Sequence, residues 1–308
     1  MEMMKPVAAR SRSRPQEDAG LSLRRERRTA PTAAQAQAEG TLLLLVDDHP
    51  TTRMILVRQA GLLGYAAEVA ENGIEALAKW RTGRFAMVIT DCDMPHMDGY
   101  ELAKEIRAEE GRGDKGRCVV VAYTAFAEAG ETDKWLAAGM DDCLSKPTDL
   151  NLLEGKLHRW LPIPAATATD ARPARDKDIE TIPPPRDDRA PIDFDVLAEV
   201  CTGDAAAVRV FLAYFWSSNQ EDVKALERAM ADRDLPEVAR ASHRMRGAGR
   251  TVGATAMADV CETIERAARA NKSFSEIAPS MVLLDQELDR LDRFLEGLPK
   301  DGEERASP

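Results

Sequence analysis

The residues best placed to do chemistry in this chain are carboxylates that end short apolar runs. Asp47 and Asp48 follow Leu42 to Val46, and Asp91 follows Met87-Val88-Ile89-Thr90. An acid at the end of a buried strand is costly unless it is paired or holds a cation. Taken singly, an Asp after a strand is more often a cap or turn residue, so what else reaches the same edge decides the reading. Three carboxylates brought together repel one another, which raises proton affinity or recruits a hard ion; oxygen donors sharing an ion with waters suit Mg²⁺. Thr124 follows a fourth apolar run and offers a hydroxyl. Lys146, followed by Pro147, offers a fixed positive charge. Such a set would clamp a phosphoryl group carried on a carboxylate. An X-Pro bond is the one place where a cis peptide is affordable, which would aim Lys146 into the site.

A second constellation lies in ASHRMRGAG, Ala241 to Gly249. His243, Arg246 and Gly247 fall at i, i+3 and i+4 of a helical pattern and share one face. A lone helical His is more often a packed or surface residue. Gly in a helix interior, however, costs about 1 kcal/mol against Ala, and Gly249 adds a second such cost. That expense makes sense where another protein must approach the face, with an exposed imidazole and Arg246 steadying a phosphate.

The elements that must position these groups alternate in the first half of the chain. Apolar runs at Leu42–Val46, Tyr65–Ala70, the stretch from Phe85, Cys118–Ala122 and Asp142–Ser145 predict five strands. Helical spacing fills Thr51–Leu63, Ile74–Arg81 (Ile74, Leu77 and Ala78 on one side), Tyr100–Glu110, Glu128–Ala138 and Leu150–Trp160. Five alternations predict a doubly wound α/β fold, a five-stranded parallel sheet with helices on both faces. Its ligand site lies at the carboxyl edge, where Asp47, Asp48, Asp91, Thr124 and Lys146 would meet. The second half shows no strand pattern. Helices are predicted over 194–200, 204–231, 235–250, 254–270 and 275–298. The last repeats Ile277, Met281, Leu284, Leu288, Leu291, Leu295 and Leu298, the seam of an all-α helical bundle.

On these motifs, residues 41–161 resemble a response-regulator receiver domain of flavodoxin-like fold. The motifs are VDD (Val46 to Asp48), DCDMPHMDG (Asp91 to Gly99), YTA (Tyr123 to Ala125) and LSKP (Leu144 to Pro147). The resemblance implies that Asp91 is the phosphoacceptor. It implies Mg²⁺ bound by Asp48, Asp91 and the main-chain carbonyl of Asp93, with Asp47 acting through water. Thr124 and Lys146 would hold phosphoryl oxygens. Many receivers carry Tyr or Phe three residues before the lysine; here Cys143 stands there, which puts the aromatic switch in doubt and reads as a packing residue. The segment from Ala241 resembles the motif of histidine-phosphotransfer (HPt) domains, which makes His243 the phosphorylated residue. Arg246 replaces the more frequent Lys. The receiver–HPt order is similar to the C-terminal end of unorthodox hybrid sensor kinases of the BvgS/EvgS type.

Length and composition frame this reading. The 308 residues suggest about two domains, and a net charge of −11 argues against a nucleic-acid partner. The five cysteines are scattered, as free thiols in a reducing compartment are. No apolar run approaches the roughly 18 residues of a membrane span, and the start lacks the core of a secretion signal. The expectation is a cytoplasmic protein without a membrane partner. It would comprise a disordered leader at 1–39, a receiver at 41–161, a Pro-rich flexible linker at 162–190, an HPt four-helix bundle at 191–298 and a tail at 299–308. No ATP-binding loop is visible. The expected function is a phosphorelay intermediate. Asp91 takes a phosphoryl group from an upstream histidine kinase and gives it to His243, which serves a downstream response regulator receiver. Two rivals stay open: a phosphorylation-switched interaction module whose bundle dimerises, and a phosphate sink.

Overall fold

A computed structural model describes residues 28–112, 116–124, 132–162, 190–201 and 205–298. Strands β1 (Leu43–Val46), β2 (Ala67–Ala70), β3 (Met87–Asp91), β4 (Val119–Thr124) and β5 (Asp142–Ser145) form one parallel sheet in the order β2-β1-β3-β4-β5. β1 and β3 are buried along their whole length, as strands covered by helices on both faces must be. The register sets Val46 beside Thr90, and Asp91 beside Tyr123, so Asp47 and Asp91 emerge at the same edge. The helices of this half are α2 (Pro50–Leu62), α3 (Gly73–Trp80), α4 (Gly99–Glu110), α5 (Thr132–Ala137) and α6 (Leu150–Trp160). Each predicted element is present, with ends shifted by a few residues. Residues 125–131, which include the expected start of α5, lie outside the described set. On α3 the buried residues are Gly73, Ala76, Leu77 and Trp80, whereas Ile74 is exposed. Trp80 closes the sheet face, and it turns the helix by one position relative to the expected side.

The leader reading needs a correction at its end. Ala33–Glu39 forms a helix, α1, entered through a capping box on Thr32 and closed by Gly40 in the left-handed region. Ala36 is fully buried in the receiver core, and Arg28 pairs with Glu39 at 2.6 Å. Alanine-rich composition looks unstructured by hydrophobic count, yet Ala is the best helix former and its methyl suffices where backbones pack closely. The remaining leader residues, the linker at 163–189 and the tail lie outside the described set.

The second half is wholly helical: α7 (Phe194–Cys201), α8 (Ala205–Asp232), α9 (Leu235–Thr251), α10 (Thr255–Arg269) and α11 (Phe274–Glu296). α8 to α11 form the four-helix bundle. Its core includes Phe215, Leu226, Val238, Met245, Cys261, Ile264, Ile277, Leu284 and Leu291. Ile55 of α2 joins that cluster, and Met54 packs against it, so the sheet domain and the bundle share a packed contact.

Candidate functional site

The carboxyl edge of the sheet assembles the expected acid pocket. Oxygens of Asp47, Asp48 and Asp91 all lie within 4.8 Å of one another. Lys146 Nζ donates to Asp47 Oδ2 at 2.6 Å and pairs with Asp91 Oδ2 at 2.8 Å, both pairs almost fully buried. The Lys146–Pro147 peptide is cis. Thr124 is the buried last residue of β4 rather than the residue after it. Burial, then the charges of Asp47 and Asp91, push Asp48 well above the usual carboxylate range. Burial also raises Asp91, against the opposing pull of Lys146. Lys146 is raised as well, for the opposite reason: burial works to lower it, and the charges of Asp47 and Asp91 outweigh burial. One ammonium thus serves two carboxylates while Asp48 is left poorly compensated. Hard oxygen donors with excess negative charge fit Mg²⁺. Gly99 is fixed by the same geometry, since a Cβ there would stand 2.1 Å from the Asp91 carbonyl oxygen. Cys143 packs partly buried against the sheet core, the packing role expected of it.

His243 sits on α9, facing this pocket. Its Nδ1 lies 3.9 Å from Asp93 Oδ2. A shallow cleft between the two halves is lined by Asp48, Asp93, Met94, Pro95, Arg240 and His243. The imidazole is 8% exposed, covered by the chain's own sheet domain, where an exposed ring was expected. Behind it stands Glu265 of α10, 2% exposed, with Oε1 2.9 Å from His243 Nδ1. Arg246 Nη2 lies 3.0 Å from the same nitrogen, and Nη1 lies 3.1 Å from Glu265 Oε2. One ring nitrogen cannot both donate to the carboxylate and accept from the guanidinium. A carboxylate only accepts, so the network assigns the proton to Nδ1 and leaves Nε2 with its lone pair. Arg246 retains Glu265 as its partner in that arrangement. Its guanidinium, 1% exposed, lies on the Nδ1 side of the ring, paired with Glu265.

Glu265 is the site residue that the motif did not reveal. It lies 22 positions from His243 on another helix, and a sequence signal would have required the rotational phase between α9 and α10. Arg269, one turn further along α10, pairs with Glu265 at 3.0 Å and reaches across to the Asp93 carboxylate. Asp93 is accordingly low: burial raises it, and His243 and Arg269 together outweigh that. The two glycines divide differently from the expectation. A Cβ on Gly247 would meet nothing within 4 Å, whereas one on Gly249 would stand 2.6 Å from Met257 Cε. The second glycine serves α9–α10 packing inside the bundle, and the docked sheet domain does not press on the first.

Comparison with known proteins divides the chain in the same way. Residues 43–158 match the response regulator receiver domain, and residues 210–294 match the Hpt domain. The virulence sensor protein BvgS of Bordetella pertussis is 36% identical over 245 residues, covering 78% of this chain and 19% of BvgS. The sensor protein EvgS of Escherichia coli K12 is 28% identical over 251 residues, covering 82% and 19%. The chain therefore spans about a fifth of the length of these relatives. Among solved structures, the magnesium-bound receiver domain of the Pseudomonas aeruginosa sensor histidine kinase PA1611 is 36% identical. It covers 39% of this chain and 97% of that one, with a TM-score of 0.36. Among the described residues, no helix is long and apolar enough to cross a membrane.

Proposed function

The chain carries a receiver domain followed by an Hpt domain, homologous to the C-terminal part of the BvgS and EvgS sensor proteins, and from that premise we propose a two-step phosphorelay within one chain. We assign residues 41–161 to the receiver, extended by α1, residues 162–190 to the tether and residues 191–298 to the Hpt bundle. In the first step Asp91 takes a phosphoryl group from the phosphohistidine of a histidine kinase. Asp47, Asp48, Asp91 and the Asp93 carbonyl would hold Mg²⁺, which when bound offsets the negative charge of the phosphoryl oxygens. Lys146 leaves its ion pair with Asp91 and holds a phosphoryl oxygen, and Thr124 donates its hydroxyl to another.

In the second step His243 Nε2 attacks the phosphorus. The phosphorus–oxygen bond to Asp91 breaks as the phosphorus–nitrogen bond forms, and the electron pair returns to the Asp91 carboxylate. The imidazole becomes cationic while keeping its Nδ1 proton, and Glu265 offsets that charge at 2.9 Å. The cleft limits water's access to the acylphosphate during the exchange. His243 then serves the receiver of a downstream response regulator once its own receiver has moved aside. One observation carries this reading: a single cleft brings His243 together with Asp48 and Asp93 at the mouth of the acid pocket. A bundle serving only dimerisation gives no account of an imidazole, a glutamate and an arginine buried together at that face.

The test follows the full chain after labelling by a small acyl phosphodonor with Mg²⁺. Base-labile label on Asp91 should appear first and base-stable label on His243 afterwards. Stable Asp91 labelling with no base-stable label would overturn the second step and leave the receiver assignment standing.

A further inference from the structure

The receiver–bundle contact has a polar member that the phosphotransfer chemistry does not use. His49 follows the acid pair and caps α2: its Nδ1 accepts the Thr51 N–H at 3.2 Å. That fixes the ring proton on Nε2. Nε2 points across the domain boundary to Asp222 Oδ2 of α8, 3.4 Å away, with the two side chains 3% and 12% exposed. It is buried and makes no hydrogen bond of ordinary geometry among the described residues, so the Asp222 carboxylate is the group that compensates its burial. The other Asp222 oxygen accepts from Arg244 Nε at 2.7 Å. Arg244, one residue after His243, in turn bears on Asp48. Beside this chain of contacts, Arg58 Nη2 donates to the Cys201 carbonyl at 3.3 Å and stacks over Phe211, while Ile55 is buried in the bundle core.

We propose that His49 and Asp222 form a docking latch by which the bundle recognises its own receiver and sets the register of Asp91 against His243. This rests on the phosphorelay reading only for its consequence, since the latch itself is a matter of domain contact. The physical reason is the asymmetry of buried polar groups. A matched N–H and carboxylate contribute little net energy, whereas either one buried alone carries its full desolvation cost. A receiver with an aliphatic or acidic residue in place of His49 would leave Asp222 Oδ2 without its partner or oppose it, and would dock less well. Asp222 also orients Arg244 toward the acid pocket. Both are positioning residues that touch neither the phosphoryl group nor the accepting nitrogen.

The test uses the full chain and two near-isosteric changes. His49→Asn retains an N-cap acceptor for α2 but is too short to reach Asp222. Asp222→Asn retains shape and removes the charge. Each should leave the rate of Asp91 labelling by acyl phosphate with Mg²⁺ within about two-fold and slow the appearance of base-stable label about ten-fold. The double variant should be about ten-fold slow as well, because the second change finds the contact already gone. Hydrogen–deuterium exchange of α2 should rise equally in all three. A double variant about a hundred-fold slow would overturn the latch as a coupled pair. So would unchanged α2 protection in Asp222→Asn. If the parent chain places no label on His243, the relay fails, and α2 protection still decides the latch.

Discussion

Asp91 is held among like charges, whereas His243 is held among opposite ones. In the receiver pocket three carboxylates share one ammonium, which leaves Asp48 and Asp91 reluctant to ionise. In the bundle pocket a single buried glutamate gathers a histidine and two arginines. The first arrangement suits a divalent cation and an incoming phosphoryl group. The second, with Asp93 counted against Arg269, is already near neutrality and fixes one tautomer of one ring. On the proposed relay the two acceptors divide the work: the receiver pocket would activate a phosphoryl group, and the bundle pocket would present a nucleophile.

The largest expected effect tests the receiver side. Asp91→Asn should reduce Mg²⁺-dependent labelling about a hundred-fold or more, since an amide oxygen is no nucleophile for phosphorus. Retained labelling on a folded Asp91→Asn chain would reassign the acceptor.

Next comes the bundle side. Glu265→Ala frees Nδ1 to exchange tautomers and leaves the product cation uncompensated. It should slow Asp91-to-His243 transfer about 10–100-fold while initial Asp91 labelling is unchanged. Glu265→Gln can still accept the Nδ1 proton through its amide oxygen and should recover much of that loss. Equal rates for both variants and the parent chain would remove Glu265 from the account.

This contrast also explains what was legible beforehand. Parallel-sheet topology brings strand ends together, so Asp47, Asp48, Asp91, Thr124 and Lys146 could be placed from apolar runs alone. Helix pairing has no such rule. The seam from Ile277 to Leu298 was readable because it repeats along one helix, whereas Glu265 meets His243 through the phase of two helices. The burial of His243 was unreadable for a related reason, because the covering surface belongs to another domain. α1 was missed because alanine contributes little to a hydrophobic pattern, although Ala36 packs well.

A smaller effect separates the two glycines. Gly249→Leu should destabilise the bundle by about 1–3 kcal/mol in denaturant unfolding, because its side chain would meet Met257. Gly247→Ala, with open space at its Cβ, should stabilise α9 by up to about 1 kcal/mol and leave transfer within the chain intact. Loss of transfer in Gly247→Ala would place a closer approach at that face than the docked arrangement contains.

The smallest effect reads the charge imbalance directly. Asp48 and Asp91 bind protons more tightly folded than unfolded, so stability falls as pH rises from the ordinary carboxylate value through their raised values. The penalty is complete above that window. In chelator, Asp48→Asn should therefore raise unfolding free energy at pH 7 by on the order of 1 kcal/mol, a gain that shrinks toward about pH 4. Added Mg²⁺ should stabilise the parent chain more than the variant. A gain independent of pH would point to packing rather than charge.

If Asp91 feeds the His243 of its own chain, a complementation mixture will separate that from transfer between chains. Chains carrying Asp91→Asn and chains carrying His243→Gln are mixed in equal amounts, labelled with acyl phosphate and followed for base-stable label. The parent chain should transfer at a rate independent of protein concentration. The mixture should transfer far more slowly at low concentration, rising as the concentration rises. A mixture that labels His243 as fast as the parent chain at low concentration would contradict transfer within one chain.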